Sequence, residues 1–303
     1  MKRHLLIEAA AKINLSLDVV GKRQDGYHLL ESVMQSITLR DQLEINWDSE
    51  GNGIIILSDQ DDMPLDDSNT CAKAARLWQQ KTGMSGLLTI SIKKRIPMQA
   101  GLGGGSADAA AVLYSLNLIY GGLLDQSEMY SLAAQTGADV PFCLQGGIGF
   151  CQGIGEIITD LTPMPVRPVL LIKPDFGLST PEVFRRLNWQ ESCIGSDHKR
   201  IIEAVRQGSW EQLGETAFNA LQRPACEIRP EINNYLDLLR QTPAQMVMMT
   251  GSGTCVYAVY DNPEDLKSAQ DIISNERTNE HPGLNWIEAA ETCDKGLGIL
   301  EMD

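Results

Sequence analysis

Residues 97–110 read Pro97-Met98-Gln99-Ala100-Gly101-Leu102-Gly103-Gly104-Gly105-Ser106-Ala107-Asp108-Ala109-Ala110, and four of the five residues 101–105 are glycine. Glycine loses more backbone freedom on folding than any other residue, so such a cluster is costly in ordered structure. It makes sense where backbone N–H groups must come close to a ligand. The pattern after it predicts a helix over about 106–120, with Val112, Leu113, Leu116, Ile119 and Tyr120 on one apolar stripe and Gly121-Gly122 as its stop. Such a helix turns its free amides and the positive end of its dipole back onto the loop. That is an anion site, best suited to phosphate, and the Ser106 hydroxyl adds a donor or a metal ligand. A plain turn capped by Ser106 would need fewer glycines.

Two common phosphate devices are excluded. No Gly-x4-Gly-Lys-Ser/Thr occurs, and Gly101-Leu102-Gly103 lacks a third glycine at 106. Asp175-Phe176-Gly177 spells the metal tripeptide of protein kinases, but neither the catalytic loop nor the lysine strand of those enzymes accompanies it, so the match reads as coincidence.

Working outward toward the N-terminus, residues 10–20 alternate with period two. Ala11, Ile13, Leu15, Leu17 and Val19 take one face, and Lys12, Asn14, Ser16 and Asp18 the other. This predicts a half-buried strand whose polar face points into a cleft. Further strands are expected over 33–47, broken near Arg40-Asp41, and over 54–57 and 87–92. The acidic stretch with Asp59, Asp61, Asp62, Asp66 and Asp67 reads as a solvated loop, and Asp67 or Ser68 as the cap of a helix over 70–82 that stops at Gly83.

On the other side of the loop, Asp125 and Glu128 give a capping-box spacing for a helix over 127–135, ended by Gly137. A hairpin follows over 147–151 and 154–158. Three prolines within 162–168 mark a linker. Beyond it lie strands over 169–172, 245–250, 255–260 and 285–289, and helices over 180–187, 199–207, 210–221, 231–241 and 263–274. Mixed strands and helices on both sides give an α+β protein of two domains, 1–163 and 164–303.

The 303 residues carry 43% hydrophobic and 21% charged side chains, which excludes disorder and allows a normal core. A net charge of -15 argues against nucleic acid or an anionic membrane as a partner. Any attraction for a phosphate compound must therefore be local, and the cluster Lys93-Lys94-Arg95 is the one basic run near the loop. The opening Met1–Glu8 briefly imitates an export signal, but Glu8 and Lys12 interrupt its apolar run, and a cytoplasmic protein is expected. Seven cysteines, at 71, 143, 151, 193, 226, 255 and 293, form no C-x-x-C pair and read as small buried hydrophobes. His4, His198 and His281 show no metal spacing and read as surface residues.

With these residues in view, 97–110 resembles the second signature of the small-molecule kinases that include galactokinase, homoserine kinase, mevalonate kinase and phosphomevalonate kinase, the GHMP superfamily. Its Gly-Gly-Gly-Ser-Ala-Asp variant is similar to the branch whose acceptor is a cytidine-diphosphate polyol. Three other segments agree in order and spacing: 10–17 with 25–32 (Asp-Gly-Tyr-His-Leu-Leu-Glu-Ser), 136–142 (Thr-Gly-Ala-Asp-Val-Pro-Phe) and 250–255 (Thr-Gly-Ser-Gly-Thr-Cys).

The resemblance implies a ribosomal-protein-S5-like N-terminal domain for ATP and catalysis and a ferredoxin-like C-terminal domain for the substrate. It implies transfer from ATP, with Mg²⁺, to the 2-hydroxyl of 4-(cytidine 5'-diphospho)-2-C-methyl-D-erythritol, in the non-mevalonate route to isoprenoids. By it Asp139 is the general base and Lys12 its partner. ATP would be held by Pro97, Met98, Gln99, Ala100, Gly101, Leu102, Gly103, Gly104, Gly105, Ser106 and Ala107, with Asn69 and Lys94 near the adenine and ribose. The acceptor would meet Asn14, Tyr27, His28, Phe184, Gly251, Ser252 and Gly253. Thr70 stands where leucine is usual, and Ala107 where many relatives carry serine. The metal's protein ligands are left open. The alternatives are a sibling kinase with another acceptor, such as a homoserine or phosphomevalonate kinase, or a silent nucleotide-binding protein on the same scaffold.

Overall fold

The computed structural model describes residues 2–188, 198–276 and 286–303; Cys193 and His281 lie outside them. Two long antiparallel strands, β1 (Lys2–Lys22) and β2 (His28–Asp48), form the spine. The opening residues thus belong to β1, where Leu5, Ile7 and Ala9 are buried in alternation. β2 continues through Arg40-Asp41 without the expected break. Asp41 can sit inside a strand because its buried carboxylate accepts from the backbone amides of Arg95 at 2.6 Å and Ile96 at 2.8 Å.

Around this spine β3 (Gly53–Ser58), β4 (Leu87–Lys93), β5 (Ile148–Gly153), β6 (Ile157–Asp160) and β11 (Leu297–Met302) complete a seven-stranded sheet. Its main path runs β11-β1-β2-β4-β3, with the β5–β6 hairpin paired to the other end of β2. A second sheet of four strands has the order β10-β7-β9-β8: Trp286–Glu291, Pro168–Lys173, Val256–Val259 and Met246–Met249.

Among the described residues three large apolar clusters lie along the spine, and a small one gathers Met34, Phe142 and Cys151. Leu5, Ile7 and Ala9 join the first, under α1 (Thr70–Thr82), α2 (Gly104–Ile119), α3 (Gln126–Thr136) and α4 (Val140–Gln145). Ala11, Ile13 and Leu15 join the second, against Val169, Leu171 and Tyr257 of the smaller sheet. Leu17 and Val19 join the third, with α5 (Thr180–Arg186) and the helix Glu231–Arg240 beside it. β1 is therefore not half-buried. Its polar face is covered as well, with Lys12 at 4% exposure and Asn14, Ser16 and Asp18 at zero.

Several local expectations change. α1 is capped by Asn69, whose side chain accepts from the Cys71 amide at 2.8 Å. The capping box at Asp125 and Glu128 is present. The expected helix over 210–221 is two, Trp210–Thr216 and Gln222–Ile228, and both α4 and β11 were missed. Cys71, Cys143, Cys151 and Cys255 are buried, whereas Cys226 and Cys293 are half-buried, and all six are free thiols. His198 is buried beside Asp18 and Glu31, at 3.8 and 3.5 Å, and is not a surface residue. No helix among the described residues is long and apolar enough to cross a membrane.

Candidate active site

A cleft of about 1550 Å³ opens where the two sheets meet. Lys12 enters it from β1 and Asp139 from the residue that starts α4, and their Nζ and Oδ2 atoms are 3.2 Å apart. Asp139 makes no side-chain cap to its own helix, which leaves the carboxylate turned to the cleft. Lys12 also donates to Asn14 Oδ1 at 2.9 Å. Asn14 in turn donates through Nδ2 to Ser32 Oγ at 2.8 Å, so its amide is held by neighbours on both strands of the spine.

The glycine loop is pinned on both sides. Lys12 N donates to Leu102 O at 3.0 Å and Cys255 N to Ala100 O at 3.1 Å. At Gly101 φ is +75°, and an added Cβ would lie 2.1 Å from the Thr250 carbonyl oxygen. At Gly103 φ is +73°, and a Cβ would lie 2.9 Å from Lys12 Cγ. These two glycines are required by the packing of the loop itself, before any ligand arrives. α2 begins at Gly104, earlier than expected, with Gly103 as a cap that offers no side-chain acceptor. The amides of Gly104 and Gly105 are left without an intrahelical partner and with the helix dipole behind them, while Ser106 N donates to Gly103 O at 3.0 Å. Ser106 lies in the first turn and lines the cleft.

Of the residues expected from the sequence, Gln99, Gly101, Gly103 and Ser106 of the loop line the cleft, together with Lys12, Asn14, Tyr27, His28, Asp139, Phe184, Gly251, Ser252 and Gly253. Pro97, Met98, Ala100, Leu102, Gly104, Gly105 and Ala107 do not line it; Ala100, Leu102 and Ala107 are buried behind it. Gly251 approaches the loop closely, since a Cβ there would lie 3.0 Å from Gly101 O and 3.5 Å from Lys12 Nζ. Ser252 Oγ and Thr180 Oγ1 are 2.7 Å apart, which ties this turn to the start of α5.

Asn69 and Lys94 also lie off the cleft lining, with their polar atoms engaged inside the protein. Asn69 caps α1 and donates through Nδ2 to Pro64 O at 2.7 Å. Lys94, 5% exposed, is ion-paired with the fully buried Asp41 and lies 2.7 Å from the fully buried Asp108. Burial, reinforced by the neighbouring Asp41, pushes the Asp108 carboxyl up to about 8, against the opposing pull of Lys94. Burial works against the Lys94 charge, yet the two carboxyls outweigh it and its pKa is raised. The triad joins β2, the end of β4 and α2 beneath the loop.

At another part of the cleft the imidazole of His28 stacks on Phe184, with ring centres 4.9 Å apart and planes 22° from parallel. Burial, then the charge of Lys22, lowers the His28 pKa, which favours the neutral ring. Tyr27 is 61% exposed at the rim.

Sequence reasoning missed Thr250 and Tyr257. The Thr250 hydroxyl accepts from Asn14 N at 3.2 Å, and its oxygen lies 3.2 Å from both Asn14 Oδ1 and Gly101 O, either of which can accept its proton. The Tyr257 hydroxyl donates to Asn14 O at 2.7 Å. Thr250 stood inside a quoted motif; Tyr257 carried no signal beyond its apolar strand. Lys22 and Arg185 also line the cleft unforeseen.

Residues 69–147 match the family described as GHMP kinases N terminal domain, and residues 201–278 that described as GHMP kinases C terminal. The chain is 42% identical over 88% of its length to the 4-diphosphocytidyl-2-C-methyl-D-erythritol kinase of Carboxydothermus hydrogenoformans, covering 91% of that protein. It is 34% identical to the enzyme of the same name from Thermoanaerobacter pseudethanolicus, over 99% of this chain and all of the other. Among solved structures, that of a 4-(cytidine 5'-diphospho)-2C-methyl-D-erythritol kinase superposes with a TM-score of 0.76 at 29% identity, covering 96% of this chain and 99% of the other. A homoserine kinase from Cytophaga hutchinsonii gives 0.78 at 16% identity, over 98% and 97% of the two chains, which speaks for the fold alone. By sequence and by fold, then, this chain belongs to the GHMP kinase family, within its 4-diphosphocytidyl-2-C-methyl-D-erythritol kinase group.

Proposed function

We propose that the protein transfers the γ-phosphoryl group of ATP to the 2-hydroxyl of 4-(cytidine 5'-diphospho)-2-C-methyl-D-erythritol. The observation that carries this reading is the ion pair of Lys12 and Asp139 at 3.2 Å, set in a cleft bounded by the glycine loop and an aromatic stack. An alcohol is a weak nucleophile, and a carboxylate in hydrogen-bond reach can accept its proton as the bond to phosphorus forms. Asp139 takes that role. The Lys12 ammonium holds Asp139 in place and stabilises negative charge on the transferring group. The amides at the start of α2 and of Gly101–Gly103 receive the donor's phosphates, and Asn14 positions the polyol.

The loop's neighbourhood fits a magnesium ion that arrives on the triphosphate. Such an ion keeps several waters and takes only one or two protein oxygens, and Ser106 Oγ and the Asp139 carboxylate face the cleft. Bound there, it would neutralise charge on the phosphates. The one cluster of three metal-ligating side chains among the described residues, His4, Glu301 and Asp303, does not line the cleft.

The reading includes a division at 163/164 into a nucleotide half and an acceptor half. The proposed acceptor contacts come from both, Asn14, Tyr27 and His28 on one side and Phe184 and Ser252 on the other. The deciding experiment incubates the protein with ATP, Mg²⁺ and the cytidylated acceptor and follows the product by phosphorus NMR. A new phosphomonoester on the acceptor is expected, and turnover only of a non-nucleotide alcohol would overturn the proposal.

A further inference from the structure

The turn at 251–253 closes on the glycine loop and on Lys12, and a buried side chain grips it from outside the cleft. Asn219 is 8% exposed and is not among the residues that line the cleft. Its Nδ2 donates to Met249 O and to Gly251 O, each at 2.8 Å, and its Oδ1 accepts from Leu221 N at 2.9 Å. A carboxamide has two donor hydrogens, and here both are used on the turn. The orientation is fixed, since the reversed amide would set an oxygen against two carbonyls.

Asn219 is itself fastened to the strand that carries Lys12. Leu17 N donates to Phe218 O and Ala220 N to Leu17 O, both at 2.8 Å, so 218–220 forms a short parallel bridge beside β1. Two residues beyond it, Gln222 Oε1 accepts from Met249 N at 2.9 Å. The segment 218–222 thus reaches from β1 to the turn. The turn in its own way returns to β1 at Lys12, where a Cβ on Gly251 would lie 3.5 Å from Nζ.

Of the two carbonyls that Asn219 holds, that of Gly251 bears on the chemistry. The Gly251–Ser252 peptide is trans, and in a planar trans peptide the N–H points opposite to the C=O. With Gly251 O held from outside the cleft, the Ser252 N–H is turned the other way. Ser252 lines the cleft, and its amide donates to no acceptor among the described residues. An open backbone N–H next to the glycine that abuts Lys12 is a donor for negative charge that develops on a transferring phosphoryl group.

We propose that Asn219 is a positioning residue for phosphoryl transfer: it holds the Gly251 carbonyl so that the Ser252 N–H meets the transferring group together with Lys12. The inference rests on the kinase reading above and adds the residue that aims a backbone donor.

Steady-state kinetics of the full chain with ATP, Mg²⁺ and the cytidylated acceptor test it, at a temperature below the unfolding midpoint of every variant. Asn219→Ala should lower kcat about 10- to 100-fold, the scale of a misdirected donor, with both KM values within about threefold. Asn219→Asp keeps the shape, removes both donors and should lose kcat likewise. Gln222→Ala frees Met249 N but leaves the Gly251 carbonyl held, and should keep kcat within about twofold. Equal kcat losses in the Asn219 and Gln222 variants, or a loss carried by KM alone, would overturn the role. A second arm needs no turnover. With isotope-labelled serine, the Ser252 amide resonance, identified by its absence in Ser252→Ala, should shift when ATP and Mg²⁺ are added to wild type and stay in place in Asn219→Asp. A wild-type protein that phosphorylates no cytidylated acceptor would sink the kinase reading, whereas a wild-type Ser252 amide that ignores ATP would sink the positioning role.

Discussion

Asp139 and Lys12 meet because each is fixed by backbone on its own side of the cleft: Asp139 as the residue that opens α4, and Lys12 by its amide bond to Leu102. Removing the base function should therefore leave the cleft intact. Asp139→Asn is expected to lower kcat by about 10²–10⁴-fold, the usual range for a lost general base, with ATP affinity nearly unchanged in equilibrium binding. Asp108 makes a different prediction. Its folded-state pKa, about 8, lies above the ordinary carboxyl value of 3.8, so the protonated form favours the fold. That contribution is complete below the ordinary value and is lost as pH rises to about 8. In Asp108→Asn this titration is absent. The unfolding midpoint of the variant relative to wild type should rise from pH 5 to about 8 and then level off, read by thermal unfolding across that range. Lys12 and Asp139 stand out in the sequence through the family resemblance, and the strand's alternation and the helix stop at Gly137 show only that both side chains can be aimed into a cleft. The sequence could not show that Asn69 and Lys94 turn inward. Capping and ion-pairing with residues far away in the chain, Asp41 for Lys94, leave no periodic trace.

At the scale of elements, the anion loop and α2 were legible because glycine density and an apolar stripe are local signals. What escaped was the reason for individual glycines. Gly101 and Gly103 answer to Thr250 and Lys12, which the sequence places far away, while at Gly105 a Cβ would meet only Thr70 Oγ1 at an ordinary 3.4 Å. Gly101→Ala should therefore destabilise by at least the ~1–2 kcal/mol of a left-handed alanine, with added cost from its collision, and weaken ATP binding. Gly105→Ala should be near neutral or slightly stabilising in denaturant unfolding, since alanine favours a helix's first turn over glycine. β2 was misread for a related reason. A charged pair such as Arg40-Asp41 looks like a loop, and only the amides of Arg95 and Ile96 make Asp41 acceptable within a strand.

At the scale of the molecule, the two sheets were legible as two runs of mixed elements, but their contact was not. The polar face of β1 reads as solvent- or cleft-facing, and only the structure shows Lys12, Asn14, Ser16 and Asp18 covered while the apolar face packs against the smaller sheet. Tyr257, fully buried on β9, supplies a polar tie across that contact through its bond to Asn14 O. Tyr257→Phe leaves a buried carbonyl one donor short and should cost about 1–3 kcal/mol in urea unfolding. Because Asn14 also holds Lys12, the same variant should lower turnover more than it lowers ATP affinity.

The pairing of β11 with β1 bears on how the protein is made. β1 is synthesised before the other described strands, whereas its neighbour at 297–302 follows both sheets' other strands. Throughout translation one margin of the spine presents bare amides and carbonyls to whatever strand passes, including another nascent copy. Closing that margin requires a contact spanning nearly the whole chain, the kind that forms slowly. Growing chains of this protein are thus exposed to mispairing until β11 arrives.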